Sequence, residues 1–441
     1  MKVAFYTLGC KVNQYETQAL EQLFTARGHV LVPFEGEADA YIINTCTVTA
    51  VSDKKSRQTV RQARKRAPDA LVAVCGCYPQ THPGDMGGLS VDLVAGTGDR
   101  LGFVERVERA WEERRPFTAL DDAMKRRAFE VLPAGGLEGR TRAFLKVEDG
   151  CVSFCAYCII PYARGPVRSL PLAAAAAQAK QLMEEGYREL VLTGIEISSW
   201  GRDLREGSSL IDLIETVCAA APDCRIRLGS LEPRTITGEF CVRAAKLDNL
   251  CPHFHLSLQS GCDATLKRMN RKYDAARYYE SVELLRKHFC CPAVTTDLIV
   301  GFPGETEEEF EETLRFIGTC GFSAMHIFPY SRRPGTPAAS MPGQAPRAVK
   351  EERARRAAAL AERMEESYLA RWPGQTVPVL FEEKKDGLWW GHTVRYSRVG
   401  AASGENLHNR ILEVRITAVR PGWLLGELLN LEKPVETAGE S

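Results

Sequence analysis

The chain has 441 residues, 44% of them hydrophobic and 26% charged, a balance that excludes a disordered or fibrous protein and supplies core for two to four domains. Its 57 Lys and Arg match 57 Asp and Glu, so net charge selects no class of partner and only local clusters can. No apolar stretch reaches bilayer-spanning length and Met1–Leu8 lacks a signal-peptide pattern, so a cytoplasmic protein with no membrane contact is expected. In that compartment 15 cysteines argue for metal or redox chemistry over disulfides.

Residues 2–9 read as a strand ending at a Gly-Cys turn, followed by a helix that opens at Asn13 with Leu20, Leu23 and Phe24 on one face. Residues 38–45 read as a second buried strand ending at Cys46, and Ser52–Ala67 as a basic helix. A third strand over 70–74 runs into Cys75-Gly76-Cys77, and a fourth, Val91–Ala95, precedes a helix with Val104, Val107 and Trp111 on one face. This alternation predicts a doubly wound parallel sheet over residues 1–115. Ligands of such sheets bind beyond the carboxyl ends of the strands. Cys10, Cys46 and Cys77 each stand just past a different strand, so they are expected to converge on one rim and hold an iron–sulfur cluster with one iron open. Cys75 is a rival ligand; Cys77 is preferred because it follows Gly76 at the turn, whereas Cys75 lies within the apolar run. Unlinked core thiols are the alternative for all of them. Gly96-Thr97-Gly98 is a poor dinucleotide motif, since Leu101 takes the place of the third glycine. Lys54, Arg57, Arg61 and Arg64 recur at helical spacing on the basic helix, either as a phosphate-contacting stripe or as a solvated face.

Residues 116–141, rich in Pro, Gly and charge, read as a linker. Strand–helix alternation then restarts, with strands near 143–148, 188–194, 225–231, 253–259, 293–301 and 322–328, and a long mixed-charge helix over 346–371. Six such units over 142–371 predict a partial barrel, whose active site belongs at the carboxyl ends of the strands. Cys151-x-x-x-Cys155-x-x-Cys158 follows the first of these strands. Three soft thiolates within eight residues can hold one metal centre, but zinc wants a fourth protein ligand and the next histidine is His253. Three ligands on an iron–sulfur cubane leave one iron open for a substrate. Later strand-end loops become cofactor candidates: Gly194 and Glu196, Ser257 and Gln259, and Gly301. Glu196 reads equally as a solvent-facing acid. Residues 372–435 read as short strands (375–382, 388–395, 411–419 and 423–428) separated by turns, hence a small antiparallel barrel. Trp389, Arg395 and Arg398 there combine stacking faces with positive charge, which suits unpaired nucleotides, or serve an ordinary barrel core and surface.

The three-cysteine spacing resembles that of radical S-adenosylmethionine enzymes. Joined with Gly9-Cys10, Asn44-Thr45-Cys46, Gly76-Cys77 and the run from Asp297 to Thr306, it resembles the methylthiotransferase family over nearly the whole chain, with the last segment similar to a TRAM RNA-binding domain. The runs Thr7–Thr17 and His255–Asn270 are similar to the branch that acts on N6-threonylcarbamoyladenosine in tRNA; sister branches act on isopentenyladenosine or on an aspartate of a ribosomal protein. The resemblance implies two 4Fe–4S clusters, one on Cys151, Cys155 and Cys158 and one on Cys10, Cys46 and Cys77. It also implies S-adenosylmethionine as radical source and methyl donor, an external one-electron reductant, a sulfur donor, and the anticodon stem-loop of tRNA as partner. The methylthio group would go to C2 of the adenosine at position 37, a C–H bond without acidity or leaving group, for which a radical is the suitable reagent. Glu196 departs from the His or Asn that this branch leads one to expect, which puts its role as a cofactor ligand in question.

Overall fold

A computed structural model describes residues 1–136, 140–205 and 207–429. The front unit is a six-stranded parallel sheet in the order Val30–Val32, Lys2–Thr7, Ala40–Thr45, Leu71–Gly76, Leu93–Ala95 and Phe117–Ala119. Its two central strands are buried at every position, as a sheet covered on both faces requires. The chain turns back at Lys2–Thr7, so the topological switch point falls between that strand and Ala40–Thr45, and the crevice that such sheets use for ligands lies just past Thr7 and Thr45. Gly9-Cys10 and Cys46 are the residues found there.

The expected doubly wound sheet is therefore present, with two additional edge strands. Val30–Val32 and Phe117–Ala119 are three residues each, too short for a periodic signal, and the latter lies within the stretch read as linker. That stretch is built into the fold. Leu132 and Ala134 are buried in the central core, and the Leu132 carbonyl accepts from both Tyr15 Oη and Gln178 Nε2. Residues 137–139 of the linker reading lie outside the described residues, as do residues 430–435 of the last segment.

The central unit has two parallel sheets. Arg225–Leu228, Glu189–Thr193 and Arg142–Lys146 form one; Ser230–Leu231, His253–Leu256, Ala293–Val300 and Ala324–Pro329 form the other. The chain passes from one sheet to the other at Gly229, whose amide still donates to the Leu192 carbonyl (2.8 Å). The result is the partial barrel of six β–α units that the strand spacing predicts. The helix Arg347–Leu369 leads out of it.

Five strands, Thr376–Lys385, Leu388–Thr393, Arg398–Ala401, Trp423–Leu428 and Ile411–Arg420, close the terminal barrel in that order. All its pairings are antiparallel except Arg398–Ala401 with Trp423–Leu428, which is parallel. Trp389, Phe381, Val399 and Leu424 fill the barrel. It docks on the amino ends of the central strands. Arg142 reaches Glu382 with two bonds of 2.8 Å, while Arg225 and Arg227 donate to the carbonyls of Pro378, His392 and Val394. Glu189 orders these arginines: it is fully buried and accepts from Arg227 Nε and Nη2 (both 2.8 Å) and Arg142 Nε (2.7 Å). No helix among the described residues is long and apolar enough to cross a membrane.

Burial alone raises the Glu189 carboxyl, but Arg227 and Arg142 outweigh it and hold the group down at about 2. A carboxylate depressed in the folded state contributes stability that is complete above its unfolded value, about 4.3, and is lost as pH falls below that. Glu189→Gln leaves two buried arginines facing each other, so a loss of about 3–5 kcal/mol in urea unfolding is expected at neutral pH. The acid-induced fall in stability between pH values of about 4.3 and 2 should flatten in the same variant.

Candidate active site

Two sets of three thiols lie on the two sides of the seam where the front unit covers the carboxyl ends of the central strands. In the front set Gly9 has φ +110°, and a Cβ there would lie 2.7 Å from Cys46 Cβ and 2.9 Å from Cys46 Sγ. The Cys10 loop therefore lies directly against the Cys46 thiol, an approach only glycine permits. Gly76 has φ +102°, with a Cβ position 2.4 Å from the Thr45 carbonyl oxygen, and it delivers Cys77 to the start of the short helix Cys77–Thr81. Burial pushes the Cys77 thiol up to about 12; Arg164 pulls the other way, and Cys46 and Cys10 push it further up, so the three thiols act on one another. Cys46 is raised for the same first reason, with backbone N–H groups of Val48 and Thr47 directed at its sulfur. Cys75 packs in the apolar core of the sheet, whereas Cys77, buried as well, is the one on which Cys46 and Cys10 act, which favours it as the third member.

In the second set, burial pushes Cys151 up to about 11 and Cys158 up to about 12, and each is raised further by Cys155. The Ser153 amide points at Cys151 Sγ (3.5 Å), and Arg271 Nη1 lies 3.2 Å from Cys155 Sγ. Buried thiols that must ionise to bind metal need compensating cations and N–H donors, and both sets have them. None of the 15 cysteines forms a disulfide, and among the described residues no three Cys, His, Asp or Glu side chains close round a single ion. Three soft donors without a fourth protein ligand fit a multi-iron cluster better than zinc.

Between the sets runs a buried ion network that sequence reasoning missed. Glu16 is buried with Arg164, Arg100 Nη2 (2.8 Å) and Lys146 Nζ (3.0 Å) on its carboxylate. Arg164 also donates from Nη2 to Asn13 Oδ1 (2.8 Å) and lies 3.5 Å from Asp149 Oδ1. Asn13 in turn donates to the Leu8 and Thr45 carbonyls (2.8 and 2.9 Å), the residues that flank Gly9-Cys10 and Cys46. Asp149 takes Lys146 Nζ (2.9 Å) and Arg168 (3.1 Å) two residues before Cys151. Burial raises Glu16, but Arg164, Arg100 and Lys146 together hold it well below the usual carboxylate range. A second clamp joins the same units: Arg333 donates to Asp53 Oδ2 and Thr47 Oγ1 (both 2.6 Å), directly after Cys46.

The strand-end candidates surround the second thiol set. Gly194 packs against Glu148, since a Cβ would meet Glu148 Oε2 at 2.7 Å. Glu148 Oε2 accepts the Glu196 amide (2.7 Å), while its buried Oε1 has no partner among the described residues. Burial raises the Glu148 carboxyl well above the usual carboxylate range, against the pull of the Glu196 amide. Glu196 is not a solvent-facing acid: burial pushes it up to about 7 against the pull of Arg271, and it lies close enough to act on Cys151. Gln259 holds φ +69° at the end of its strand, a cost usual at ligand-binding positions. The Ser257 carbonyl accepts from Tyr273 Oη and Arg271 Nη2, which ties that strand end to Cys155. At Gly301 the amide is taken by Glu305 Oε2 (2.6 Å), and a Cβ would strike Lys350 Cγ at 2.5 Å, so packing accounts for this glycine.

Comparison with known proteins agrees with this geometry. Residues 145–317 match the radical SAM superfamily model and residues 2–96 the model described as uncharacterized protein family UPF0004. The threonylcarbamoyladenosine tRNA methylthiotransferase MtaB of Bacillus subtilis is 41% identical over 94% of this chain and 93% of its own. MtaB of Aquifex aeolicus is 37% identical over 87% and 93%. The tRNA-2-methylthio-N(6)-dimethylallyladenosine synthase of Moorella thermoacetica is 35% identical over 96% and 97%. Among solved structures, the radical S-adenosylmethionine methyltransferase TsrM of Kitasatospora setae shares the fold, with a TM-score of 0.58 at 16% identity over 77% of this chain and 75% of its own. The chain belongs to the radical SAM methylthiotransferase family. It is an enzyme, and the radical SAM domain implies one 4Fe–4S cluster together with S-adenosylmethionine.

The RNA-contact candidates of this methylthiotransferase divide in two. Lys54 and Arg61 are exposed and bond to no described side chain, and the exposed Arg398 guanidinium stacks on Trp390 at 3.9 Å. The others serve the fold. Arg64 bonds the carbonyls of Pro68, Ala70 and Ser90 and pairs with Asp92; Arg57 donates to Tyr78 Oη (2.7 Å). Trp389 is buried in the terminal barrel, and Arg395 donates to the Cys290 and Cys291 carbonyls (both 2.9 Å), holding that barrel on the central unit.

Glu16→Gln removes the common anion of three buried cations, so urea unfolding should show a loss of about 3–5 kcal/mol. Adding Arg164→Gln to it should cost less than the two single losses summed, because the second change removes a charge that the first left unpaired. Strict additivity would show that the residues do not form one network.

Proposed function

We propose that this chain is a tRNA methylthiotransferase that places a methylthio group on C2 of N6-threonylcarbamoyladenosine at position 37, in the cytoplasm. The reading is supported by one ion network that joins the residues flanking two three-thiol sets, in a chain 41% identical to a threonylcarbamoyladenosine tRNA methylthiotransferase. Cys151, Cys155 and Cys158 would hold the radical-generating cluster; Cys10, Cys46 and Cys77 would hold a second 4Fe–4S cluster. When bound, these clusters supply the electron and the sulfur that the reaction consumes, replenished by an external reductant and a sulfur donor.

The protein's own part is to bind, orient and exclude water. Gly194, Glu196, Ser257 and Gln259 line the strand ends where S-adenosylmethionine would lie, and Gly301 shapes the neighbouring turn. Glu148, whose buried Oε1 has no partner among the described residues, is a further polar group available to that ligand. The Arg164 network fixes the two loops against each other. Lys54, Arg61 and Arg398 are free to meet phosphates and bases of an anticodon stem-loop, whose unpaired nucleotides are accessible. We assign residues 1–115, together with the edge strand Phe117–Ala119, to the front domain, 142–371 to the radical domain and 372–435 to the RNA-binding barrel, the rest of 116–141 packing between front and central units.

Anaerobically reconstituted protein should carry about eight irons per chain. Replacing Cys10, Cys46 and Cys77 by Ala should leave about four, as should replacing Cys151, Cys155 and Cys158, whereas Cys75→Ala should retain about eight. In tRNA from a strain lacking the gene, mass spectrometry should find threonylcarbamoyladenosine without its methylthio group. Unchanged methylthiolation there, with loss of the methylthio group from isopentenyladenosine, would move the enzyme to the sister branch.

A further inference from the structure

A cleft of about 830 Å³ runs from the Cys10 loop, along the open side of the partial barrel, to the terminal barrel. One wall is the helix Lys11–Ala26, which presents Lys11, Gln14 and Gln18 at spacings of three and four residues on the cleft side. The facing wall carries Arg142, Arg227 and Tyr396. The charges here are unevenly matched. Arg142 and Arg227 are held by Glu189, and Arg142 also by Glu382; both guanidiniums stack on Tyr396, at 5.1 and 4.7 Å. Of the other acids in the lining, Glu21 faces Arg140 and Glu383 is exposed at the rim. Lys11 forms no hydrogen bond or ion pair with a described residue, and neither do the amides of Gln14 and Gln18. Lys11 and Gln14 are exposed to the cleft, so their polar ends are open to a ligand. The lysine directly follows Cys10.

We propose that Lys11, with Arg142 and Arg227 behind it, is an anion subsite that takes the carboxylate of the threonylcarbamoyl group, and that Gln14 and Gln18 meet the urea linkage of the same substituent. The inference rests on the reading under Proposed function and adds the element that sets the substrate. Isopentenyladenosine offers no anion, so only the threonylcarbamoyl acid gains a charge-assisted bond to the free Lys11 ammonium.

The test uses the iron-loaded enzyme without reductant and measures binding by fluorescence anisotropy. The ligands are two anticodon stem-loops, one with threonylcarbamoyladenosine at position 37 and one with its neutral threoninamide analogue. Wild type should bind the acid at least about tenfold more tightly than the amide. Lys11→Met should bind both equally, and Lys11→Arg should keep a preference for the acid. No preference in wild type, or a preference that survives Lys11→Met, overturns the subsite. Equal weakening of both RNAs by Lys11→Met, with the wild-type ratio kept, overturns it in favour of a backbone phosphate contact. Should Lys11→Met fail to load iron, the wild-type pair of measurements still decides. Failure of the function reading shows separately, as methylthiolated threonylcarbamoyladenosine persisting in the gene-deleted strain.

Discussion

The arrangement depends on one buried carboxylate. Glu16 sits on the first helix of the front unit, yet its partners come from both units: Arg100 from the front, Lys146 and Arg164 from the centre. A lone carboxylate taken out of water is unfavourable by several kcal/mol, and so is each cation. None of the four is stable where it is unless the others are present, so the network favours a single docking of front unit on barrel. Hydrophobic contact alone would allow sliding. Charges at fixed distances do not.

That constraint matters because the two thiol loops belong to different units. Asn13 ties Arg164 to the carbonyls beside Cys10 and Cys46, and Asp149 ties the same arginine to the residue pair before Cys151. Arg333 adds a hold on the residue after Cys46. A reaction that uses groups on both loops needs their separation fixed to a fraction of a bond length, since small misplacement costs large factors in rate. Loops alone do not provide that precision; a rigid ion network behind them does.

Much of this could be read in the sequence, for physical reasons. A strand followed by a turn and a cysteine is a local pattern, and the geometry of parallel sheets converts three such patterns into one rim. The three-cysteine loop after Lys146 carries its chemistry within eight residues. The ion network had no such signal. Glu16 and Arg164 are 148 residues apart, and a glutamate inside an amphipathic helix reads as a surface residue until its partners are placed. The basic helix shows the reverse problem. Arg64 looked available for phosphate, but its guanidinium closes the turn at Pro68 and Ala70 and pairs with Asp92. Trp389 and Arg395 likewise fill and fasten the terminal barrel. Residue type and spacing show what a side chain can bind; burial and rival partners decide what it does bind.

The same logic separates structural cations from functional ones across the cleft. Arg142 and Arg227 line the cleft and Arg225 lies beside them at the strand ends, yet each is committed to Glu189, Glu382 or a carbonyl of the docked barrel. Their net field is largely cancelled where it is generated. Lys11 lacks such a commitment: its ammonium forms no ion pair with a described residue. In a family whose members share one reaction and differ in the substituent on the target base, an uncancelled charge beside the reacting loop is the kind of feature that sorts substrates.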